Sequence, residues 1–367
     1  VQPDAKTPAV EEWNFTIEQQ LDRNTSVRVA YVGSFGYHQF VSIDPNSIPA
    51  QICNNTAGCQ AGGTTAAGNV PVPAALQSHV AQGAQYIPLG TRPNIYVSNG
   101  FFWYTEGNSS YNALQIDVNR RLTQGFQIRA NYTWSKNLDN NSALTIAQSS
   151  NEPQMVMDRN DLRRDWGPSA LNVTHQASFS AHYDLPFGKG QRWMGGTSPI
   201  ANRIIGGWQL NEITTLLSGF PFTPLMGSNR SGNGDTRNPD RPNLNPDFTG
   251  PVVTGNPNQW FNPNAFTPAP YGTYGNLGRG TYNGPGLAEV DLSVLKNIAV
   301  SEQINLQFRA EFFNLMNRTN YASPNQTVFT NTGSATAPVY TASPTAGLIS
   351  NLATTPRQIQ FGLKLTF

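Results

Sequence analysis

The chain has 367 residues, 12% of them charged and 38% hydrophobic, with a formal net charge of +1. Charge this sparse and balanced leaves no electrostatic footprint for nucleic acid, and no basic run with interleaved aromatics is present. No stretch approaches the roughly 18 consecutive apolar residues of a spanning helix, which excludes that mode of membrane residence but not spanning by half-polar strands.

The opening VQPDAKTP lacks a methionine, a basic leader and an apolar signal core, and reads as the start of a processed or truncated chain. Trp13, Phe15, Ile17 and Leu21 alternate with Glu12, Asn14, Thr16, Glu18 and Gln20, which predicts a first strand long enough to cross a bilayer obliquely. A turn at Asp22-Arg23-Asn24 returns the chain through Val27, Val29 and Tyr31, with Arg28 on the opposite face. From about Phe35 to Ser110 the sequence is rich in Gly, Pro, Asn and Ala and reads as a long loop, with Ile95 to Thr105 as a possible extension of the wall.

A second hairpin follows. Leu114, Ile116 and Val118 alternate with Gln115, Asp117 and Asn119, then a turn at Thr123 to Gly125 leads into Phe126, Ile128, Ala130, Tyr132 and Trp134 against Gln127, Arg129, Asn131 and Thr133. Tyr132 and Trp134 close the apolar row where an interfacial girdle belongs. After a polar loop from about Lys136 to Pro168, the row Leu171, Val173, Ala177, Phe179, Ala181, Tyr183 and Leu185 is opposed by Asn172, Thr174, Gln176, Ser178, Ser180, His182 and Asp184, with His175 on the apolar side near the rim.

Pro186 to Asn202 reads as a longer turn and Ile204 to Leu217 as a strand. Its parity breaks at Glu212, which predicts either a bulge between Leu210 and Ile213 or an interfacial carboxylate. A very long loop, Phe220 to Pro285, precedes Val290, Leu292 and Val294. A turn near Asn297 to Ser301 leads to Ile304, Leu306, Phe308, Ala310 and Phe312, opposed by Asn305, Gln307, Arg309 and Glu311. After the loop Asn317 to Thr355, the chain ends on RQIQFGLKLTF, with Ile359, Phe361, Leu363, Leu365 and Phe367 on one face and Gln358, Gln360, Gly362, Lys364 and Thr366 on the other. An apolar row that stops at a terminal aromatic reads as an assembly signal for a membrane barrel, carried by Phe361, Leu363, Leu365 and Phe367.

Short turns and long loops alternate strictly along the chain. Outer-membrane barrels sort their connections this way, short toward the periplasm and long outside, whereas a soluble sandwich has no reason to. The expected fold is therefore all-β: an antiparallel transmembrane β-barrel with long extracellular loops and the lipid of the bacterial cell outer membrane around it. Nine strands are legible, an odd number that leaves two open edges in lipid, so residues 1–367 read as a single carboxy-terminal portion of a larger barrel.

Five phrases carry a family resemblance: EEWNFTIEQQL with VRVAYVGSFGYH, SSYNALQIDVNRRLTQGFQIRANYTWSKNLDN, HYDLPFGKG, GGWQLNEITTLLSGFPFTP, and QFRAEFFNLMNRTNY with the terminal strand. In this order they resemble the carboxy-terminal part of TonB-dependent receptors of the Oar-like type, which often carry a carboxypeptidase-regulatory-like domain. The resemblance implies a barrel of about 22 strands with a plug in its lumen, energised uptake through an inner-membrane partner, and insertion by the outer-membrane assembly machinery. The plug and the early strands lie outside these residues. A passive pore, a surface adhesin or a secreted structural β-protein are the competing expectations.

Candidate chemistry is thin. His38, His79, His175 and His182 share no nucleophile or metal spacing, so no enzyme, cofactor or metal site is expected. The lumen-facing Glu18, Arg28, Asp117, Arg129, Arg309 and Glu311 have mixed signs suited to pairing across strands or with a plug. Loop residues Trp103, Tyr104, Arg163, Arg164, Trp260 and Tyr271 are candidates for ligand contact, although aromatics and paired charges also serve to pack loops together. Asp235, Asn238 and Asp240 offer oxygen ligands for calcium, at a spacing that does not match the hand-type calcium loop and with Arg237 and Arg241 opposing the charge. Cys53 and Cys59, with five residues between them, point to a disulfide in an oxidising compartment, because no His or acidic residue lies among them to complete a metal site.

Overall fold

The computed structural model describes residues 2, 4–140, 142, 153, 155–237, 240–301, 303–334 and 337–367. Among them, nine long strands form one antiparallel sheet in strict chain order: β1 (Ala9–Asp22), β2 (Thr25–Ile43), β3 (Phe102–Thr123), β4 (Phe126–Asp139), β5 (His175–Asp184), β6 (Trp208–Leu217), β7 (Leu287–Ala299), β8 (Asn305–Phe313) and β9 (Gln358–Thr366). A two-residue strand, Gly167–Pro168, pairs with the far end of β4. No pairing joins β1 to β9 among the described residues, so the sheet is open there.

The two-residue side-chain period turns this register into two surfaces. Across one rung Ile17, Val29, Ile116, Tyr132, Ala177 and Leu216 stand side by side; across the next stand Glu18, Arg28, Asp117, Asn131, Ser178, Thr215 and Glu289. The apolar row stays uncovered: Phe15 is 66% exposed and Leu363 70%. In water so large an apolar face is a liability; facing lipid it is the reason the sheet is stable.

Local chemistry sets the short turns. Asn24 N–H donates to the Asp22 carboxylate at 2.7 Å in the first. In the second, Gln124 and Gly125 both have positive φ (51° and 77°), the two-residue hairpin whose twist matches its strands. Near the opposite rim the Trp13 indole lies over Gly33, where an added Cβ would meet the ring at 2.3 Å. His175 opens β5 at that rim and its Nδ1 shares a hydrogen bond with the Tyr132 hydroxyl at 2.8 Å.

Besides β5, which begins at His175 rather than Leu171 because Asn172 N–H closes a turn onto Ser169 O at 2.9 Å, three sequence expectations are corrected. The strand expected from Ile204 begins at Trp208, because Pro199–Ile205 forms helix α1. Ser198 caps it, accepting from Ala201 N–H at 3.3 Å, and Pro199 sits at its first position. Secondly, no bulge lies between Leu210 and Ile213: β6 keeps unbroken register with both β5 and β7, which holds Glu212 in the apolar row between Ala181 and Leu292. The Thr214 hydroxyl donates to Glu212 Oε1. Thirdly, β2 runs on to Ile43 and β3 from Phe102, taking in Phe102 to Thr105 of the expected wall extension but also residues 35–43 and 106–110 read as loop, so that they reach 19 and 22 residues, well beyond the roughly 9–11 that a bilayer needs. Their tips persist because Val41 and Ile43 bury against Val156, Tyr104 and Leu162.

At the end of the sheet opposite the short turns, the long connections pack on one another, the third and fourth around a shared core. Phe222, Met226, Phe261, Phe266, Leu277, Val328 and Phe329 are buried together, with Phe222 stacked on Phe261 at 5.7 Å. Main-chain bonds lock the third and fourth loops (Leu225 N–H to Gln326 O and Val328 N–H to Leu225 O, both 2.9 Å) and the first to the third (Ile48 N–H to Asn233 O and Ile87 N–H to Gly272 O, both 2.7 Å). Gly232, at φ 69°, approaches the Gly62 backbone so closely that a Cβ would lie 2.0 Å from its carbonyl oxygen. Cys53 and Cys59 are disulfide-bonded, with their Cα atoms 5.7 Å apart, inside the first loop.

Candidate functional site

The loop cap is held by buried charge as well as by apolar contact. Arg241 and Asp165 are each about 1% exposed and pair at 2.7 Å. Arg241 Nε donates to Leu277 O and Nη2 to Arg164 O, both at 2.8 Å, while Asp165 Oδ2 accepts from Met157 N–H at 2.9 Å. A second buried guanidinium, Arg279, pairs with Asp139 at the tip of β4 and donates to Asp165 O at 2.7 Å. Two cations thus tie the second loop to the third.

Asp240 is buried without a cationic partner among the described residues and accepts from Ser231 N–H at 2.7 Å and Ser231 Oγ–H at 3.0 Å. Burial pushes its carboxyl up to about 7, with nearby Asp235 adding to the rise and the Ser231 bonds opposing it. The unfolded chain releases this proton near 3.8 whereas the folded cap keeps it to about 7, so cap stability falls as pH rises through that window and levels above it. The loss has an upper bound of about 4 kcal/mol. Urea unfolding of the cap at about pH 5 and about pH 8 is expected to show this difference in the native protein and a smaller one in Asp240→Asn. Equal pH dependence in both would remove Asp240 as its origin.

Between the first, third and fourth loops lies a cleft of about 570 Å³. The Arg230 guanidinium lies 3.9 Å from the Tyr271 ring centre and 4.7 Å from that of Tyr340, and its Nε donates to Ala269 O. Ser228 Oγ–H donates to the Tyr340 hydroxyl at 3.2 Å. Thr64, Thr65 and Asn229 add polar groups around this cation and its aromatic walls, and Ala66, Ala67, Val72, Pro73 and Leu76 make the facing wall apolar. Such a cleft suits a ligand that presents both a flat or apolar face and hydrogen-bonding groups.

Of the six loop residues singled out from sequence, Tyr271 alone lines this cleft. Trp103 is 51% exposed at the tip of β3, beside Phe40 and Phe101. Tyr104 packs beneath it on Val41 and Ile43. Arg163 is exposed and meets Asp161 at 3.3 Å, while Arg164 bonds Gln85 and lies over Tyr274. Trp260 packs on the cap core and donates to Asn283 O at 3.0 Å. Arg230 and Tyr340, the cleft's other principal walls, come from loops more than a hundred residues apart, and no local pattern singles them out. Asn238, one of the three residues considered for calcium, lies outside the described residues; Asp235 and Asp240 are committed to Arg237 N–H, Asn99 and Ser231.

The polar face of the sheet carries the remaining charges. Arg28 pairs with Asp117 at 2.7 Å, and Glu18 stands across from Arg28 on the next strand. Arg129 lies opposite Ser180 and Asn119, Arg309 receives support from Gln307 at 2.6 Å, and Glu311 faces Gln360.

With this geometry in place, residues 1–360 match the model of the outer membrane beta barrel domain family. The chain belongs to that family. Its apolar row is the lipid face of an outer-membrane barrel, its polar row the lumen wall, and the long loops lie outside the cell, the short turns in the periplasm. The match places the protein in the bacterial outer membrane and sets aside a secreted structural role. Among solved structures, the outer membrane transporter YddB from Escherichia coli is similar, with a TM-score of 0.46, 10% identity, and coverage of 99% of this chain and 33% of that one. The barrel chain thus spans about a third of the length of that transporter. Comparison with curated proteins gave no match.

Proposed function

We propose that these residues form the carboxy-terminal part of a TonB-dependent, Oar-like receptor that takes up a nutrient by energised transport, and that the Arg230–Tyr271–Tyr340 cleft is where the nutrient first docks. The observation that carries this reading is the loop cap. Its third and fourth loops bury a common core, main-chain bonds tie the first loop to the third, and two buried guanidinium–carboxylate pairs tie the third to the second loop and the tip of β4, which together shape a fixed cleft on the outer surface rather than leaving an open mouth. A carbohydrate, a peptide or a metal chelate fits the polar and aromatic lining. On this reading the charged lumen rungs face a plug, an inner-membrane protein supplies the energy, and the barrel performs no enzymatic step.

A passive pore or an adhesin on the same scaffold makes a different prediction. In cells expressing the full-length protein, accumulation of labelled oligosaccharides, peptides and ferric chelates is expected to stop when a proton uncoupler is added, and to fall at least several-fold in Arg230→Ala. Accumulation that persists with the uncoupler supports the pore instead.

A further inference from the structure

The periplasmic connection between β5 and β6 is unlike the other short turns. Residues 185–207 fold into a tight segment, in which Trp193 N–H donates to Pro186 O at 3.0 Å, followed by α1. Trp193, Met194, Ile200 and Ile204 are exposed, the last two at 79% and 70%. Ile200 and Ile204 are four residues apart and share one face of α1. Lys189, Arg192 and Arg203 are exposed along the same segment.

This apolar patch is continuous with the lipid-facing row. Trp208 and Lys296 are paired neighbours in that row at its periplasmic end. Trp208 Nε1–H donates to Ile204 O at 2.9 Å, the Lys296 ammonium donates to Gly206 O, and the same ammonium lies 5.4 Å from the Trp208 ring centre. The end of α1 is therefore fastened to the outer side of the wall. Between the start of this segment, at Pro186, Gln191 and Arg192, and the periplasmic ends of β3, β4 and β5 lies a cleft of about 800 Å³ lined by Phe126 and Tyr183 of the lipid-facing row and by Arg120. Asp184, which also borders the cleft, is engaged by Gln209 at 2.7 Å and His182 at 3.2 Å.

We propose that residues 185–207 form an interfacial lipid-binding element: a glycerophospholipid of the periplasmic leaflet places its phosphate between Arg120 and Arg192, and Trp193, Met194, Ile200 and Ile204 sit at the headgroup and acyl boundary. Amphipathic segments with basic residues beside an apolar face bind anionic lipid in this way, and Trp belongs at that depth. The proposal stands on continuity with the lipid face and does not depend on what the barrel transports.

Nitroxide labels at I200C and I204C of the full-length protein, in vesicles of phosphatidylethanolamine and phosphatidylglycerol, test the placement. Collision with lipid-dissolved oxygen is expected to exceed collision with a water-soluble nickel chelate several-fold at both sites, and the reverse is expected at D247C in an extracellular loop. Water-like values at 200 and 204 overturn the proposal and point to a periplasmic protein as the partner of this face. Native mass spectrometry of R120Q/R192Q, refolded to the same circular dichroism as the parent, is expected to show a several-fold loss of retained phosphatidylglycerol. Undiminished retention overturns the headgroup assignment.

Discussion

Asp165→Ala is expected to destabilise the extracellular cap by about 3–5 kcal/mol, the range for removing one partner of a buried ion pair. The loss arises because Arg241 stays where it is. Its Nε and Nη2 remain bonded to the Leu277 and Arg164 carbonyls, so the guanidinium cannot leave for water without opening the interface between the second and third loops, and the Met157 N–H loses its acceptor too. Hydrogen exchange of the cap amides is the measurement, with protection expected to fall in the second and third loops and to hold in the strands. Replacing both partners, as in Asp165→Leu with Arg241→Met, is expected to recover part of the loss, since no buried charge is then left unpaired; recovery stays incomplete because two carbonyls lose their donor. A single-variant loss under about 1 kcal/mol would mean that the pair is open to water and does not hold the loops.

Leu363→Arg is expected to cost about 2–4 kcal/mol and to reduce the amount of barrel reaching the outer membrane. Leu363 lies near the middle of β9, in the lipid-facing row beside Phe308, and is 70% exposed to what the family places as acyl chain. An arginine there must desolvate or distort the bilayer. The informative control is three residues away: Gln360→Arg puts the same side chain on the lumen row directly opposite Glu311, where an opposite-charge pair is neutral or favourable by about 0.2–1 kcal/mol. Urea unfolding of the full-length protein in vesicles, with quantitation in isolated outer membranes, compares the two. Equal effects at 360 and 363 would contradict the assignment of the two faces.

The same periodicity explains why so much of the wall was legible from sequence. Rows such as Phe126, Ile128, Ala130, Tyr132 and Trp134 against Gln127, Arg129, Asn131 and Thr133 report the two-sided environment residue by residue. Where the strand's environment is less one-sided, the signal fails. Glu212 in the apolar row and Ile213 in the lumen row contradict the pattern locally, and only the unbroken pairing of β6 with β5 and β7 sets their faces. Ile204 looked like the start of that strand because an apolar residue beside Gly206 and Trp208 fits a strand edge as well as a helix face. The Ser198 cap and Pro199 decide for the helix.

Alternation, turn chemistry and the sorting of short from long connections are local properties, and through them the sequence by itself determined the strand order, both faces of the wall and the side on which the loops lie. The tertiary structure decided what those loops do. Gly, Pro and Asn-rich segments carry no period, so nothing in the sequence shows that Phe222 meets Phe261, that Arg241 finds Asp165 across 76 residues, or that Arg230 meets Tyr340 across more than a hundred. Contacts between irregular segments depend on how each loop closes as a whole, and that is settled only when the strands have fixed where every loop begins and ends.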